Sequence, residues 1–425
     1  MQNLQQPHEV TLSITMKKYF SLLVFTTGLV NAENWAQFRG PNGAGISTEK
    51  GIPIKWTAKD YAWQVKLPGI GHSSPIVWED RVIVTSAANK GEKRFIECYR
   101  ADTGKPLWSE ELGGASHRKH GLNSYASATP VTDGKRVFMS WGDSDEYFMV
   151  AHDFKTGKEL WRTQLGASIS QHGHGTGTSP VLYEDLVIIL NEHDTGPGYI
   201  AALDQATGKE RWRIGRKIGK MTYSTPLLVE HGGQVQLINA CLDDGMMGLD
   251  PRTGKIQWTT PKTFDMRTVA MPVYWKGHVF GSCGNGGKGT LMTAVKLGGK
   301  GKVTESHIAW KRQRSLAYVP TPIAYGDHLY LWLDNGMVIC VDAKTGDEVW
   351  DERVGRGDYS SSPVCIDGKI YCSSRTGEFT VIKASPKYEL LGRSQLGEAT
   401  HATPAVSSGR MFLRGFAKLY CLEAK

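Results

Sequence analysis

The chain has 425 residues, 40% of them hydrophobic and 22% charged, which is too apolar for a disordered protein. Its 49 glycines and 18 prolines interrupt it too often for long helices, and they follow no strict collagen period. The net charge of +8 is spread along the sequence without a basic block interleaved with aromatics, which argues against nucleic acid as a partner.

In chain order, the first signal is Lys17-Lys18, then an apolar run from Tyr19 to Val30, then Val30-Asn31-Ala32 before Glu33. A basic start, a short apolar stretch and small or apolar residues at the outer cleavage positions read as a secretory signal over residues 1–32, with residues 1–15 as an extended start. The run is about a dozen residues, short of the roughly 20 that a spanning helix needs. No later stretch is apolar enough to span. The first cysteine is Cys98, far from the expected cleavage point, so no lipidated cysteine opens the mature chain. A periplasmic or extracellular protein without a lipid anchor is expected. In that oxidising setting seven cysteines leave at least one unpaired, and no Cys-x-x-Cys or Cys-Cys pair is present. Cys365 and Cys372 flank a turn at Asp367-Gly368 that sets Cys365 opposite Ile370, which argues against a disulfide between them.

The dominant pattern from residue 61 onward is a repeat of about 40 to 55 residues. A small or polar residue precedes Pro75, Pro130, Pro180, Pro226, Pro322, Pro363 and Pro404, and Met271 precedes Pro272. Each proline is followed by a turn such as Glu79-Asp80 or Asp367-Gly368, set between runs rich in Val, Ile, Leu and Tyr. That is a β-hairpin. Further along come a small residue, an apolar one, often an acid, then Thr-Gly and a Trp four residues beyond the Gly, as in Ala202-Leu203-Asp204, Thr207-Gly208, Trp212. Thr-Gly supplies a tight turn between two strands, and the Trp buries a large apolar area against its neighbour. The repeated tryptophans are Trp108, Trp161, Trp212, Trp258, Trp310 and Trp350. The fifth unit carries a Gly/Lys-rich insertion before Trp310, and the seventh puts Leu391 in the Trp position. Gly281 to Gly289 reads as a hairpin insertion. Cys98, Cys340 and Cys421 occupy the small slot and read as core residues. The eighth unit ends after three strands at Glu423, and Tyr61 to Leu67, with Trp63, supplies its fourth. The expectation is an all-β, eight-bladed β-propeller of four-stranded antiparallel blades over residues 33–425, one monomeric ring closed by an N-terminal strand.

These blades and their tryptophans resemble the PQQ-like (quinoprotein) repeat family, and Trp35-Ala36-Gln37-Phe38-Arg39-Gly40-Pro41-Asn42-Gly43 resembles the mature start of exported PQQ-binding-like repeat proteins. The resemblance implies two functional poles. One is the PQQ-dependent dehydrogenases, which would imply PQQ with Ca²⁺. The other is the non-enzymatic propeller subunit of the outer-membrane β-barrel assembly machine. The chain lacks the vicinal cysteine pair of many such dehydrogenases, and no motif matches their metal-binding or catalytic residues. It also lacks the lipidated cysteine that starts the assembly subunit.

Propellers bind ligands at the channel mouth, reached by the loops before each innermost strand. Here those loops carry His72; His117, His120 and Tyr125; His172 and His174; Tyr223; Arg267; Tyr318; Asp358 and Tyr359; and His401. They hold six of the chain's 13 histidines, an enrichment that points to the mouth. Three readings stand: side chains satisfying loop backbone, a mouth for a polar or anionic small molecule, quinone or peptide, and a metal site on His172-Gly173-His174 completed by His72 or His401. No nucleophile elbow, zinc-protease helix or phosphate loop is present. The expected function is binding or scaffolding of a small molecule or envelope protein. The alternatives are a PQQ-dependent oxidoreductase and an envelope protein-assembly subunit.

Overall fold

The computed structural model describes residues 33–425 except 143–145, 168–172, 194–196 and 218, so the export signal expected over residues 1–32 and His172 lie outside the described residues. Eight antiparallel sheets of four strands follow one another, with innermost strands beginning at Ile76, Val131, Val181, Leu227, Val273, Ile323, Val364 and Ala405, just after the eight anchor prolines. The largest helix among the described residues is the single turn Thr304–His307. No helix of the described residues is long and apolar enough to cross a membrane.

The eighth blade is made from both ends of the chain. Tyr61–Lys66 pairs antiparallel with Lys418–Glu423, placing Trp63 opposite Cys421. The same cross-strand pairing recurs as Trp108 with Cys98, Trp161 with Ala151, Trp212 with Ala202, Trp258 with Gly248, Trp310 with Ala294 and Trp350 with Cys340. A small partner leaves room for the indole, and that explains the slot in which cysteine, alanine and glycine alternate.

Six of these seven indoles then reach the next blade. Nε1 of Trp63, Trp108, Trp161, Trp212, Trp310 and Trp350 donates at 3.0 to 3.2 Å to the carbonyl of Ala101, Phe154, Gln205, Pro251, Ala343 or Ser385. In four blades the acid of the motif shapes the turn that receives the indole; Asp204 Oδ1, for example, accepts from the backbone of Ala206 at 3.0 Å and Thr207 at 2.9 Å. Trp258 behaves differently because the fifth unit has no Thr-Gly turn. It donates to Gln236 Oε1 at 2.9 Å within its own blade. The Gly/Lys-rich insertion covers it instead: Gly301–Lys302 adds a parallel strand against Ile256–Thr259, and Trp258 is 1% exposed.

Two sequence assignments are corrected by register. In blade 7, Leu390 pairs with Ile382 and Gly392 with Val381, so Leu391 is the bulged residue and Gly392 holds the tryptophan position. The Ile54 carbonyl fills the space a Cβ would need there, and Trp56, packed on Phe379 with ring centroids 5.3 Å apart, supplies an indole from the N-terminal segment. Gly281 and Gly289 belong to the regular central strands His278–Asn285 and Lys288–Lys296 of blade 5 rather than to an insertion. Cys365 stands opposite Ile370, as the turn requires, and all seven cysteines are buried and free.

Sequence reading gave the stretch before Tyr61 no structural role. Residues 34–51 run across one end of the channel. Trp35 bridges Val77 in blade 1, Ala36 accepts from the Thr132 amide of blade 2, and Ile46–Ser47 adds a parallel strand to Cys365 and Ile366 of blade 7. Glu49 accepts from the Gly409 amide of blade 8 at 2.9 Å. Arg39 is fully buried in this plug, and its five hydrogen bonds go to the carbonyls of Gly43, Ala44, Thr321, Pro322 and Pro363.

Candidate functional site

The residue before each anchor proline builds the neck of the channel. Backbone amides donate around the ring to hydroxyls of the next blade: Ser74 to Thr129, Thr129 to Ser179, Ser179 to Thr225, Met271 to Thr321, Thr321 to Ser362, Ser362 to Thr403 and Thr403 to Ser74, at 2.9 to 3.2 Å. The circle of hydroxyl acceptors breaks at Met271, which has none to offer Thr225. The small or polar residue before proline thus has a physical role, one neutral hydrogen bond at seven of the eight blade junctions, each worth about 1 kcal/mol.

Above this neck lies a pocket of about 440 Å³, floored by Phe38 of the plug. Of the residues singled out from sequence, His72, His120, His174, Tyr223, Arg267, Tyr318 and His401 line it. The structure brings their rings together in two groups. His72 and His401 lie 4.4 Å apart by ring centroid, both against Phe416, and His120 stacks on His174 at 5.4 Å with Tyr223 beyond. Arg267 packs over Tyr223 and donates Nε to the Met221 carbonyl at 2.9 Å.

Of the other candidates, Tyr125 and Tyr359 sit behind the wall, while Asp358 is exposed. Tyr125 donates its hydroxyl to the His117 carbonyl at 2.7 Å, edge-on to the His117 ring. Asp358 pairs with Arg375 at 3.1 Å, and Tyr359 is fully buried against Trp332. His172 lies outside the described residues, and among the described residues no group of three or more His, Cys, Asp or Glu is placed to hold a metal.

Sequence reading missed the supporting shell. Buried Arg414 holds the His72 loop through the Ser73 carbonyl at 3.0 Å and the Ser73 hydroxyl. Asn123 ties two mouth loops together, donating to the His174 carbonyl at 2.7 Å and that of Thr176 at 3.1 Å. Asp334 accepts from the amides of Tyr318 at 2.8 Å and Val319 at 3.3 Å. Burial pushes its carboxyl up to about 6 despite those bonds. All three are single polar residues with no sequence pattern around them, and only their distant partners reveal them.

Electrostatically the mouth holds neutral rings beside guanidinium groups. Burial, His401, Arg414 and Lys119 push His72 down to about 2; burial and Arg375 push His401 down to about 4. Both imidazoles are therefore neutral at physiological pH. The lining includes Arg267 and Arg375 but, among the described residues, no Asp or Glu. Without a carboxylate to orient an imidazole, the wall offers hydrogen-bond donors and acceptors for a polar group rather than an acid-base pair.

The same donor set decides the cofactor question. Ca²⁺ takes six to eight oxygen ligands, with carboxylates prominent among them. The described mouth presents hydroxyls, phenols and two amides, Asn123 and Asn285, with no carboxylate, so it does not fit a Ca²⁺-PQQ pair.

Eight blades around a hydroxyl-lined neck, seven of them with a tryptophan in the docking position, define an eight-bladed propeller of the PQQ-like repeat class. Residues 92–352 and 334–425 match the family described as "Outer membrane protein assembly factor BamB", and the chain belongs to that family. It is 22% identical over 355 residues to the protein of that name from Moranella endobia (strain PCIT), covering 80% of this chain and 82% of that one. It is 20% identical over 345 residues to the one from Yersinia pestis, covering 78% and 80%. Among solved structures, BamB from Moraxella catarrhalis aligns with TM-score 0.60 at 15% identity, covering 85% of this chain and 99% of that one. Quinohemoprotein alcohol dehydrogenase from Comamonas testosteroni aligns with TM-score 0.63 at 13% identity, covering 92% and 80%. At such identities the structural likeness concerns the fold alone.

Proposed function

We propose that this chain is a non-catalytic propeller of the cell envelope that binds partner proteins during the assembly of outer-membrane proteins. The observation that carries the reading is the family match, which runs through residues 92–425 and whose named relatives are outer-membrane protein assembly factors. The mouth supports it, because its wall suits polar recognition and its described lining residues include none of the carboxylates that a Ca²⁺-PQQ dehydrogenase would use. The binding surface in this reading is the rim formed by His72, His120, His174, Tyr223, Arg267, Tyr318 and His401, with Tyr125, Asp358 and Tyr359 holding its loops. The export signal at residues 1–32 would deliver the chain to the compartment where such partners are found.

The test is in-cell crosslinking of the exported, tagged chain in its native host, followed by identification of captured proteins and an absorbance spectrum of the purified protein. The reading expects envelope proteins of the assembly pathway in the captured set and no quinone absorbance. Capture of no envelope protein, together with quinone absorbance and dye reduction on adding PQQ, Ca²⁺ and an alcohol, would replace it with an oxidoreductase.

A further inference from the structure

The loop joining blades 1 and 2 brings His117-Arg118-Lys119-His120-Gly121-Leu122 to the channel mouth. Leu122 lines the pocket yet stays 45% exposed, and Ile70, two residues before His72, is 52% exposed. Most other large apolar side chains left in solvent, such as Leu107, Leu160 and Val349, sit singly on outermost strands beside a docking tryptophan. At the mouth, the exposed Leu122 side chain lies directly on a pocket.

Charge at the same place is mostly of one sign. Arg118 and Lys119 precede the lining residue His120 in the loop, Arg375 stands in the wall, and no Asp or Glu is among the described lining residues. Exposed Asp358 pairs with Arg375 Nη1 at 3.1 Å from outside the lining, a contact that a bound carboxylate can exchange with because an exposed ion pair is weak. Below the Phe38 floor, Arg39 adds a buried guanidinium whose hydrogen bonds all go to carbonyls, so no acid neutralises it there. A low-dielectric hollow lined with one sign of charge focuses its field on whatever enters. The buried Nδ1 of His401, close enough to feel the Arg375 charge, has no hydrogen-bond partner.

We infer that the mouth between blades 7, 8, 1 and 2 binds an acidic peptide segment of a partner protein, with one carboxylate entering the pocket toward Arg375 and His401 and a neighbouring apolar side chain lying on Leu122. The inference rests on the partner-binding reading and specifies that partner's chemistry. A pocket of about 440 Å³ admits side chains and not a folded domain. Its charge is drawn into a hollow rather than displayed on a flat face, which favours a peptide over a lipid surface.

Fluorescence anisotropy with the full exported chain tests this. The probe is a labelled ten-residue peptide alternating Asp or Glu with Phe or Leu, compared with its Asn/Gln twin and with phosphatidylglycerol vesicles. The acidic peptide is expected to bind about tenfold tighter than its twin and to weaken as salt rises. The double variant Arg118→Glu/Lys119→Glu should lose about tenfold, and Leu122→Ala a further few-fold. Circular dichroism of both variants should match the parent, because these side chains lie on the rim. Equal binding of the two peptides, indifference to the substitutions, or binding of vesicles in place of peptide would overturn the inference. Crosslinked partners that persist in the double variant would remove this inference and leave the assembly reading standing.

Discussion

The Arg39 guanidinium donates to the Pro322 carbonyl at 2.8 Å, joining the N-terminal plug to the anchor proline of blade 6 across 283 residues of chain. Four further carbonyls from the plug and from blades 6 and 7 complete its shell. Burial pulls the guanidinium down to about 9, so it stays charged at neutral pH. Arg39→Ala strands these acceptors in a buried site and should cost at least about 3 kcal/mol by urea unfolding. Arg39→Lys should recover only part, because one ammonium cannot reach five acceptors in a plane. Unchanged stability in Arg39→Ala would mean that the plug does not hold the ring.

Blade 7 offers a sharper test of packing. A repeat-minded substitution, Gly392→Trp, would restore the missing tryptophan by alignment, yet the Ile54 carbonyl already occupies that space. Even Gly392→Ala should destabilise by about 2 kcal/mol or more. Gly208, at φ 70° beneath the Trp161 indole, should respond as strongly to Ala because both its backbone and its contact forbid a Cβ. Thermal unfolding of the two variants beside Leu391→Ala, which touches a bulge, checks the ranking.

The seven thiols should be chemically silent in the folded protein. Burial pushes Cys98, Cys241, Cys340, Cys365, Cys372 and Cys421 up to about 12, and Cys283 is also raised. A thiol reagent at pH 8 should find fewer than about one reactive group in the native chain, and all seven after denaturation. A stoichiometric native thiol would contradict the small-slot assignment.

Acid should loosen the mouth. His72 and His401 titrate near 2 and 4 when folded, below the 6.5 of a free imidazole, so the unfolded chain binds protons first as pH falls. Stability carried by the two neutral rings is full above pH 6.5 and declines below it, by at most about 1.4 kcal/mol per pH unit for each ring. Asp334, raised to about 6, works in the opposite sense, favouring the fold as pH drops from 6 toward its unfolded value of 3.8. The stability difference between the parent and His72→Asn/His401→Asn should therefore shrink from pH 7 to pH 5. A constant difference would show that the rings are not held neutral.

The ring was legible because its signals are local. Pro after a small or polar residue, Thr-Gly before Trp, and strand runs between them fix each blade within a few dozen residues, and phase alone put seven mouth residues into one pocket. Three kinds of feature escaped. The plug is held by backbone carbonyls hundreds of residues away, so Arg39 looks like any other arginine in sequence. One bulge shifted Leu391 off the tryptophan position, since alignment by spacing cannot see an unpaired residue. Tyr125 and Tyr359 came from the right loops but point behind the wall, and Asp358 stays in solvent against Arg375, because a loop's phase fixes its end of the ring and not the direction of each side chain.

Partner binding in outer-membrane protein assembly is most directly tested by deleting the gene in its native host and quantifying the outer-membrane proteome. The account predicts reduced outer-membrane β-barrel proteins, restored by the parent chain and not by the Arg118→Glu/Lys119→Glu variant. Unaltered β-barrel levels in the deletion strain would contradict it.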